Sequence, residues 1–281
     1  MKIAAINDRL TLIVGDATAV DVETASAGRF SSDIQAVYGV WSEFKEWAAS
    51  ADLTGGAGFS PADLGSPTPA PRQIFAIGLN YAPHAAESGF AVPEAPVVFT
   101  KFASCITGPY GTVAIPAGGH TDWEAELVVV IGTGGHNIAE ADAWSHVAGL
   151  TLGQDLSERI TQAAGPAPQF GLGKSFPNYG PTGPVLVTAD SLDNRNAIQL
   201  GCSVNGVEMQ NGNTDTLIFS IESLISRLSA IVTFYPGDII FTGTPAGVGL
   251  GRSPQVFLNP GDVLTTWATG IGEMRHEIVA A

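Results

Sequence analysis

Short apolar runs rich in β-branched residues, each cut off by glycine or proline, constrain this chain more than any other feature. QIFAIGLN, PVVFTKF, ELVVVIG, GPVLVT, IQLGCSVN, DIIFTG and DVLTTWA are strand-length segments bounded by turn residues. Their density beyond residue 70 predicts an α+β fold in which β-structure dominates. Helical spacing of apolar residues is confined to Ile34–Ser50, Tyr81–Glu87, Ala139–His146 and Ser220–Ser229. Pro-Gly-Asp precedes an apolar strand twice, at Tyr235–Gly243 and Asn259–Trp267, which is turn chemistry at strand entry rather than a duplication.

At 281 residues the chain can build one large domain, or a large domain carrying a small one. The loop-rich stretch GGAGFSPADLGSPTPAP reads as a linker and divides a small N-terminal domain, residues 1–70, from a main domain, residues 71–281. No apolar run approaches the ~20 residues of a membrane helix, and MKIAAINDRL turns polar too early for a signal peptide, so a cytoplasmic protein is expected. The net charge of −15 repels phosphate backbones and anionic membrane surfaces, which argues against nucleic-acid and membrane partners. Cys105 and Cys202 lack metal-ligand spacing and read as small buried hydrophobes.

The first segment with chemistry is Asp122-Trp123-Glu124-Ala125-Glu126, which runs straight into LVVVIG. In a strand, Glu124 and Glu126 point to one face, and burying both beside an apolar run is costly without a cation. Asp155, in GLTLGQDLSER, follows another apolar stretch and supplies a third carboxylate. Three carboxylates suit Mg²⁺ or Mn²⁺ and leave room for water or a chelating substrate. His120, His136 and His146 lack the spacing of a zinc set. In Asn80-Tyr81-Ala82-Pro83-His84-Ala85-Ala86-Glu87, His84 and Glu87 share a helix face, so the carboxylate can make the imidazole a better base. Only four lysines occur, and Lys174 follows a glycine-flanked turn where its charge can stabilise an oxyanion. TGTPAGVGLG at Thr242–Gly251 lacks the spacing and lysine of a nucleotide loop, but its amides and the Thr244 hydroxyl can hold a carboxylate.

In order along the chain, IGLNYAPHAAESG, PVVFTKFASCITGP, DWEAELVVVIG, QDLSERITQ, GKSFPNYGPTGPVLVT and VNGVEMQNGNTDTLIFSIESLISRLS leading to PGDIIFTGTPAGVG resemble the fumarylacetoacetate hydrolase family. The resemblance is to its acylpyruvate hydrolase and 2-hydroxyhepta-2,4-diene-1,7-dioate isomerase branch. It implies a β-roll or β-sandwich of mixed sheets behind a small N-terminal α/β domain, assembled as a homodimer. It also implies Mg²⁺, Mn²⁺ or sometimes Ca²⁺ on Glu124, Glu126 and Asp155, a water-activating pair in His84 and Glu87 on a lid helix, and Lys174 as a catalytic cation. Tyr81, Arg159, Gln162 and Thr244 match substrate-contacting positions, and Gly89 and Pro93 would delimit the lid.

The implied reaction is hydrolysis of a carbon–carbon bond in a 2,4-dioxo acid of the acylpyruvate kind. The metal chelates the oxo acid, charge from the leaving carbon spreads into an enolate, and water activated by His84 and Glu87 attacks the distal carbonyl. Decarboxylation of oxaloacetate, or keto–enol and double-bond isomerisation of a 2-hydroxydienoate, uses the same ligands; a non-catalytic binding protein would be expected to have a substituted triad. Three positions depart from the family pattern: Pro177-Asn178 replaces Asp-Thr after Lys-Ser-Phe, Ile160 replaces aspartate after the arginine, and Gln154 replaces asparagine before the metal aspartate. Pro177 and Ile160 would favour a more apolar or bulkier substrate.

Overall fold

The computed structural model describes residues 1–87 and 91–281; Gly89, one of the expected lid boundaries, lies outside them. All seven apolar runs contain strands, and β-structure dominates. The larger sheet has 12 strands. Along its main path lie Ala57–Gly58, Thr18–Asp21, Arg9–Gly15, Lys2–Ile6, Gly180–Val187, Val147–Gln154, Ala125–Ile131, Ile239–Phe241, Ile74–Gly78 and Val97–Thr100. A five-stranded sheet runs Val207–Asn213, Gln199–Val204, Val263–Ala268, Gly272–Ala280 and Tyr110–Ile115. Both are mixed: Ile239–Phe241 pairs parallel with Ile74–Gly78, and Gly272–Ala280 pairs parallel with Tyr110–Ile115.

Residues 1–70 do not stand apart from the main sheet. Lys2–Ile6 pairs antiparallel with Gly180–Val187, so the boundary expected near residue 70 does not interrupt the hydrogen-bonded ladder. The glycine- and proline-rich stretch expected as a linker holds two short strands, Ala57–Gly58 and Leu64–Gly65, that pair back onto this sheet. The helix expected over Ile34–Ser50 is a 3₁₀ turn, Ala36–Val40, leading into an α-helix, Trp41–Ala48.

The strand Ala125–Ile131 is buried along its whole length because both its faces are covered. Leu127, Val129 and Ile131 pack with Leu224, Ile225 and Leu228 of the helix Ile221–Ser229, whose cap Ser220 accepts from Ser223 N–H. Val128 and Val130 face the opposite way, onto Tyr38, Trp41 and Phe44 from the N-terminal region. This two-sided packing makes the apolar run continuous rather than alternating. It also carries Glu126, in phase with Val128, into the interior.

Candidate functional site

Antiparallel pairing of Ala125–Ile131 with Val147–Gln154 builds the site, placing Ala125 opposite Gln154 and Glu126 opposite Gly153. The ladder continues one step beyond both strand ends, where Asp155 N–H donates to the Glu124 carbonyl at 2.9 Å. Asp155 is thereby set beside Glu124 although some thirty residues separate them in sequence. Two buried glutamines hold the approach: Gln154 Oε1 accepts from Glu124 N–H at 3.0 Å, and Gln210 Oε1 accepts from Ala125 N–H at 2.8 Å. Gln154, where the family pattern has asparagine, also donates to Thr266 Oγ1 at 2.9 Å.

Glu124, Glu126 and Asp155 each offer a carboxylate oxygen within 4.8 Å of the others, and all three are buried. Around them stand three cations. Lys174 Nζ donates to Glu124 Oε2 and to Asp155 Oδ2, both at 2.7 Å. Lys101 Nζ donates to Asp155 Oδ1 at 2.7 Å and to the carbonyls of Lys174 and Tyr179. Arg159 donates from Nη2 to Glu124 Oε1, and its Nε lies 2.7 Å from Asp122 Oδ1.

Lys174 caps the short helix Phe170–Gly173, which packs against the helix Arg159–Gln162. The two approach so closely that a Cβ on Gly173 would lie 2.5 Å from Gln162 N. This contact explains the glycine before the lysine and brings Lys174 to the carboxylates.

Four buried acids, Asp122, Glu124, Glu126 and Asp155, thus face three buried cations, Lys101, Arg159 and Lys174, leaving one negative charge over (4 − 3 = 1). The carboxylate without a cationic partner is Glu126, whose hydrogen bond comes from Gly243 N–H to Oε2 at 2.7 Å. Burial, reinforced by the charges of Asp155 and Glu124, pushes the Glu126 carboxyl well above the ordinary glutamate range. Glu124 moves the other way: burial pushes it up, but Lys174 and Arg159 outweigh that and hold it at about 2. Burial also raises Asp122, against the pull of Arg159. For Lys174, burial is the largest influence and pulls down, yet Asp155 and Glu124 together raise it. A cluster of hard oxygen donors with one uncompensated charge fits a divalent cation, and Glu124, Glu126 and Asp155 are the residues to hold it.

The helix Ala82–Glu87 carries the second constellation. His84 is 8% exposed, and its Nδ1 lies 3.3 Å from Glu87 Oε2. Glu87 also accepts from Gly247 N–H, at 3.2 Å to Oε1 and 3.0 Å to Oε2. The base of this helix is fixed by Asn80, whose amide donates to the Phe219 and Thr242 carbonyls and whose oxygen accepts from Phe219 N–H. A charged His84 would add to the downward pull that Lys174 and Arg159 exert on Glu124.

The residues expected at the substrate are already engaged with the protein. Arg159 pairs with acids and donates from Nη1 to Gln162 Oε1 at 2.9 Å. The Thr244 hydroxyl donates to the Ala125 carbonyl at 2.9 Å and accepts from Gln210 Nε2 at 2.7 Å. Tyr81 is wholly buried in the main core, and its hydroxyl has no partner among the described residues. Ile160, at 52% exposed, and Pro177 both lie on the surface. Lys101 and Asp122, both buried within the cluster, were not among the sequence candidates.

The fumarylacetoacetate (FAA) hydrolase C-terminal family matches residues 73–279. The chain belongs to this family. Human oxaloacetate tautomerase FAHD2A, a mitochondrial protein, is 43% identical over 215 residues, covering 76% of this chain and 68% of that one. The crystal structure of "a putative HpcE protein" from Mycobacterium smegmatis superposes with a TM-score of 0.95 at 51% identity, covering all of both chains. Maleylpyruvate hydrolase from Sphingobium sp. SYK-6, solved with manganese(II) and pyruvate, superposes with a TM-score of 0.78 at 26% identity, again over all of both chains. Members of the family are enzymes, among them hydrolases, isomerases and oxaloacetate tautomerases. This member keeps a buried acidic triad, which removes the ground for reading it as a binding protein without catalysis.

Proposed function

We propose that this enzyme moves a proton between the keto and enol forms of a small 2-oxo diacid such as oxaloacetate. Glu124, Glu126 and Asp155 hold a divalent cation, and His84 with Glu87 carries the proton. The observation behind this reading is a buried imidazole held by a carboxylate at 3.3 Å, beside three carboxylates that lack one compensating charge. The 43% identity to oxaloacetate tautomerase supports the choice of substrate class. When bound, Mg²⁺ or Mn²⁺ supplies the positive charge that chelates a 2-oxo acid and makes its neighbouring carbon more acidic.

Each protein group has a separate task. With Nδ1–H donated to Glu87, the His84 lone pair is on Nε2, the atom that takes or returns the proton. Gly247 N–H fixes Glu87, so the imidazole is oriented before substrate arrives. Lys174 lies between Glu124 and Asp155 and offsets the repulsion between them.

Hydrolytic cleavage of an acylpyruvate is the second reading. It is favoured by the same His84–Glu87 pair, which can activate water instead of a substrate C–H, and by the likeness to maleylpyruvate hydrolase. Decarboxylation of oxaloacetate needs no such base. The test follows loss of enol absorbance from freshly dissolved oxaloacetate, with pyruvate release measured in parallel for oxaloacetate and acylpyruvates. Both assays are run with Mn²⁺, after chelation and in His84→Ala. Faster enol loss without pyruvate, abolished by chelation and by His84→Ala, is the expected result. Pyruvate release from acylpyruvates alone would replace tautomerisation with hydrolysis, and pyruvate from oxaloacetate that survives in His84→Ala would replace it with decarboxylation.

A further inference from the structure

Acidic residues outnumber lysine and arginine 27 to 12 in this chain, yet Arg252 pairs with no carboxylate among the described residues. Its half-buried guanidinium donates only to main-chain carbonyls. Nη2 reaches Met209 O at 2.7 Å, and Nε and Nη2 both reach Gly247 O at 3.3 Å. Three backbone contacts from one half-buried cation form a staple between the strand Val207–Asn213 and the loop after Thr244. The position of that loop therefore matters to something it holds.

Gly247 is the point held. Its carbonyl also accepts from Trp123 Nε1 at 3.0 Å, and Trp123 is the residue immediately before Glu124. Its N–H is a donor to Glu87. The residue has φ +106° and leaves no space for a side chain, since a Cβ would lie 2.2 Å from Met209 O. A glycine in this region has little conformational preference of its own. Its N–H and its carbonyl lie in adjacent peptide planes joined at one Cα, so holding the carbonyl through Trp123 and Arg252 restricts where the N–H can point.

We propose that Arg252 is a positioning residue for the His84–Glu87 pair: by tying Gly247 to Met209, it fixes where the Gly247 N–H meets Glu87 and hence where the imidazole stands. This rests on the reading of His84 and Glu87 as the proton-transferring pair. Arg252 acts through Gly247 and Glu87 and does not touch substrate. The metal ligands are held by another set of ion pairs, through Lys101, Arg159 and Lys174.

The test compares Arg252→Met and Arg252→Lys with the parent, using the full chain. It reads kcat, KM, Mn²⁺ affinity by titration without substrate, and the Gly247 amide proton resonance in glycine-labelled protein. Hydrogen-bonding partners that orient metal ligands are typically worth about tenfold to a hundredfold, and an effect of the same order is taken for Arg252. A fall of that size in kcat is expected in Arg252→Met, with KM and Mn²⁺ affinity unchanged, an upfield move of the Gly247 resonance, and partial recovery in Arg252→Lys.

An unmoved Gly247 resonance in Arg252→Met would overturn the proposal whatever the substrate proves to be. Unchanged kcat, or a rise in KM alone, would also overturn it, the latter by making Arg252 a substrate contact. A fall in Mn²⁺ affinity that tracks kcat would make its role general support of the fold. If His84→Ala turns over at the parent rate, the reading of the pair fails, while the Gly247 resonance still reports on the staple.

Discussion

Lys101 and Asp155 form an ion pair with no exposed side-chain surface on either partner, the ammonium lying 2.7 Å from Oδ1. Two main-chain carbonyls, those of Lys174 and Tyr179, accept its remaining protons, so the buried ammonium is fully hydrogen-bonded. Removing Lys101 leaves Asp155 with Lys174 as its remaining cationic partner and strips two buried main-chain carbonyls of their donor. Lys101→Met is expected to cost about 3–5 kcal/mol of stability in metal-free protein. Urea unfolding checks this, and a loss below about 1 kcal/mol would put the pair on the footing of a surface ion pair.

The charge excess at Glu126 predicts opposite behaviour for two isosteric changes. Glu126→Gln removes a buried carboxylate that lacks a cation, so the metal-free protein should unfold at the same temperature as the parent or higher. Asp155→Asn takes the partner from both Lys101 and Lys174 and should lower it. Both variants should lose the rise in unfolding temperature that Mn²⁺ gives the parent. A Mn²⁺-induced rise of parental size in Glu126→Gln would remove Glu126 from the ligand set.

The triad was legible because its signal is local: acids set directly against LVVVIG and LTLGQ announce carboxylates at the ends of buried strands. The cations around it were less so. Arg159 was readable as a polar residue after the metal aspartate, but its engagement with Asp122 and Glu124 depends on a turn bringing residue 159 back onto residues 122–124. Lys101 sits in FTKFASC, a segment that carries the family resemblance without marking the lysine, and tertiary packing carries it to Asp155. The N-terminal segment looked separable because glycine and proline crowd residues 54–70. Its attachment through Lys2–Ile6 and Gly180–Val187 is a long-range pairing with no local marker. The last strand, Gly272–Ala280, escaped because a histidine and charged residues interrupt its apolar alternation, although Met274, His276 and Ile278 form its buried face.

Glu87 Oε2 accepts hydrogen bonds from both His84 and Gly247 N–H. Glu87→Gln keeps an acceptor for Gly247 but loses the carboxylate charge that holds the imidazole. Turnover is expected to fall by about 10²-fold or more, within the range of general acid–base catalysis. Mn²⁺ affinity should stay at the parental value, since Glu87 is not a member of the triad. Parental turnover in a steady-state assay of Glu87→Gln would show that His84 works without it.

His276 sets a pH limit on stability away from the site. It is 1% exposed, its Nε2–H donates to the Gly108 carbonyl at 3.0 Å, and its Nδ1 has no partner among the described residues. Burial lowers its pKa from 6.5 to about 4, so the folded protein holds it neutral where the unfolded chain would protonate it. Its contribution to stability is therefore complete above pH 6.5, declines as the pH falls toward about 4, and does not decline further once both states are protonated. A displacement of that size corresponds to about 3 kcal/mol across the window. Carboxylates titrate over part of the same range, so the informative quantity is the difference from His276→Gln, which keeps a donor for Gly108 but cannot titrate. Unfolding free energies of the two proteins should diverge between pH 7 and pH 4, with the parent falling faster. Parallel pH dependence would mean that His276 is protonated as readily in the folded protein as in the unfolded chain.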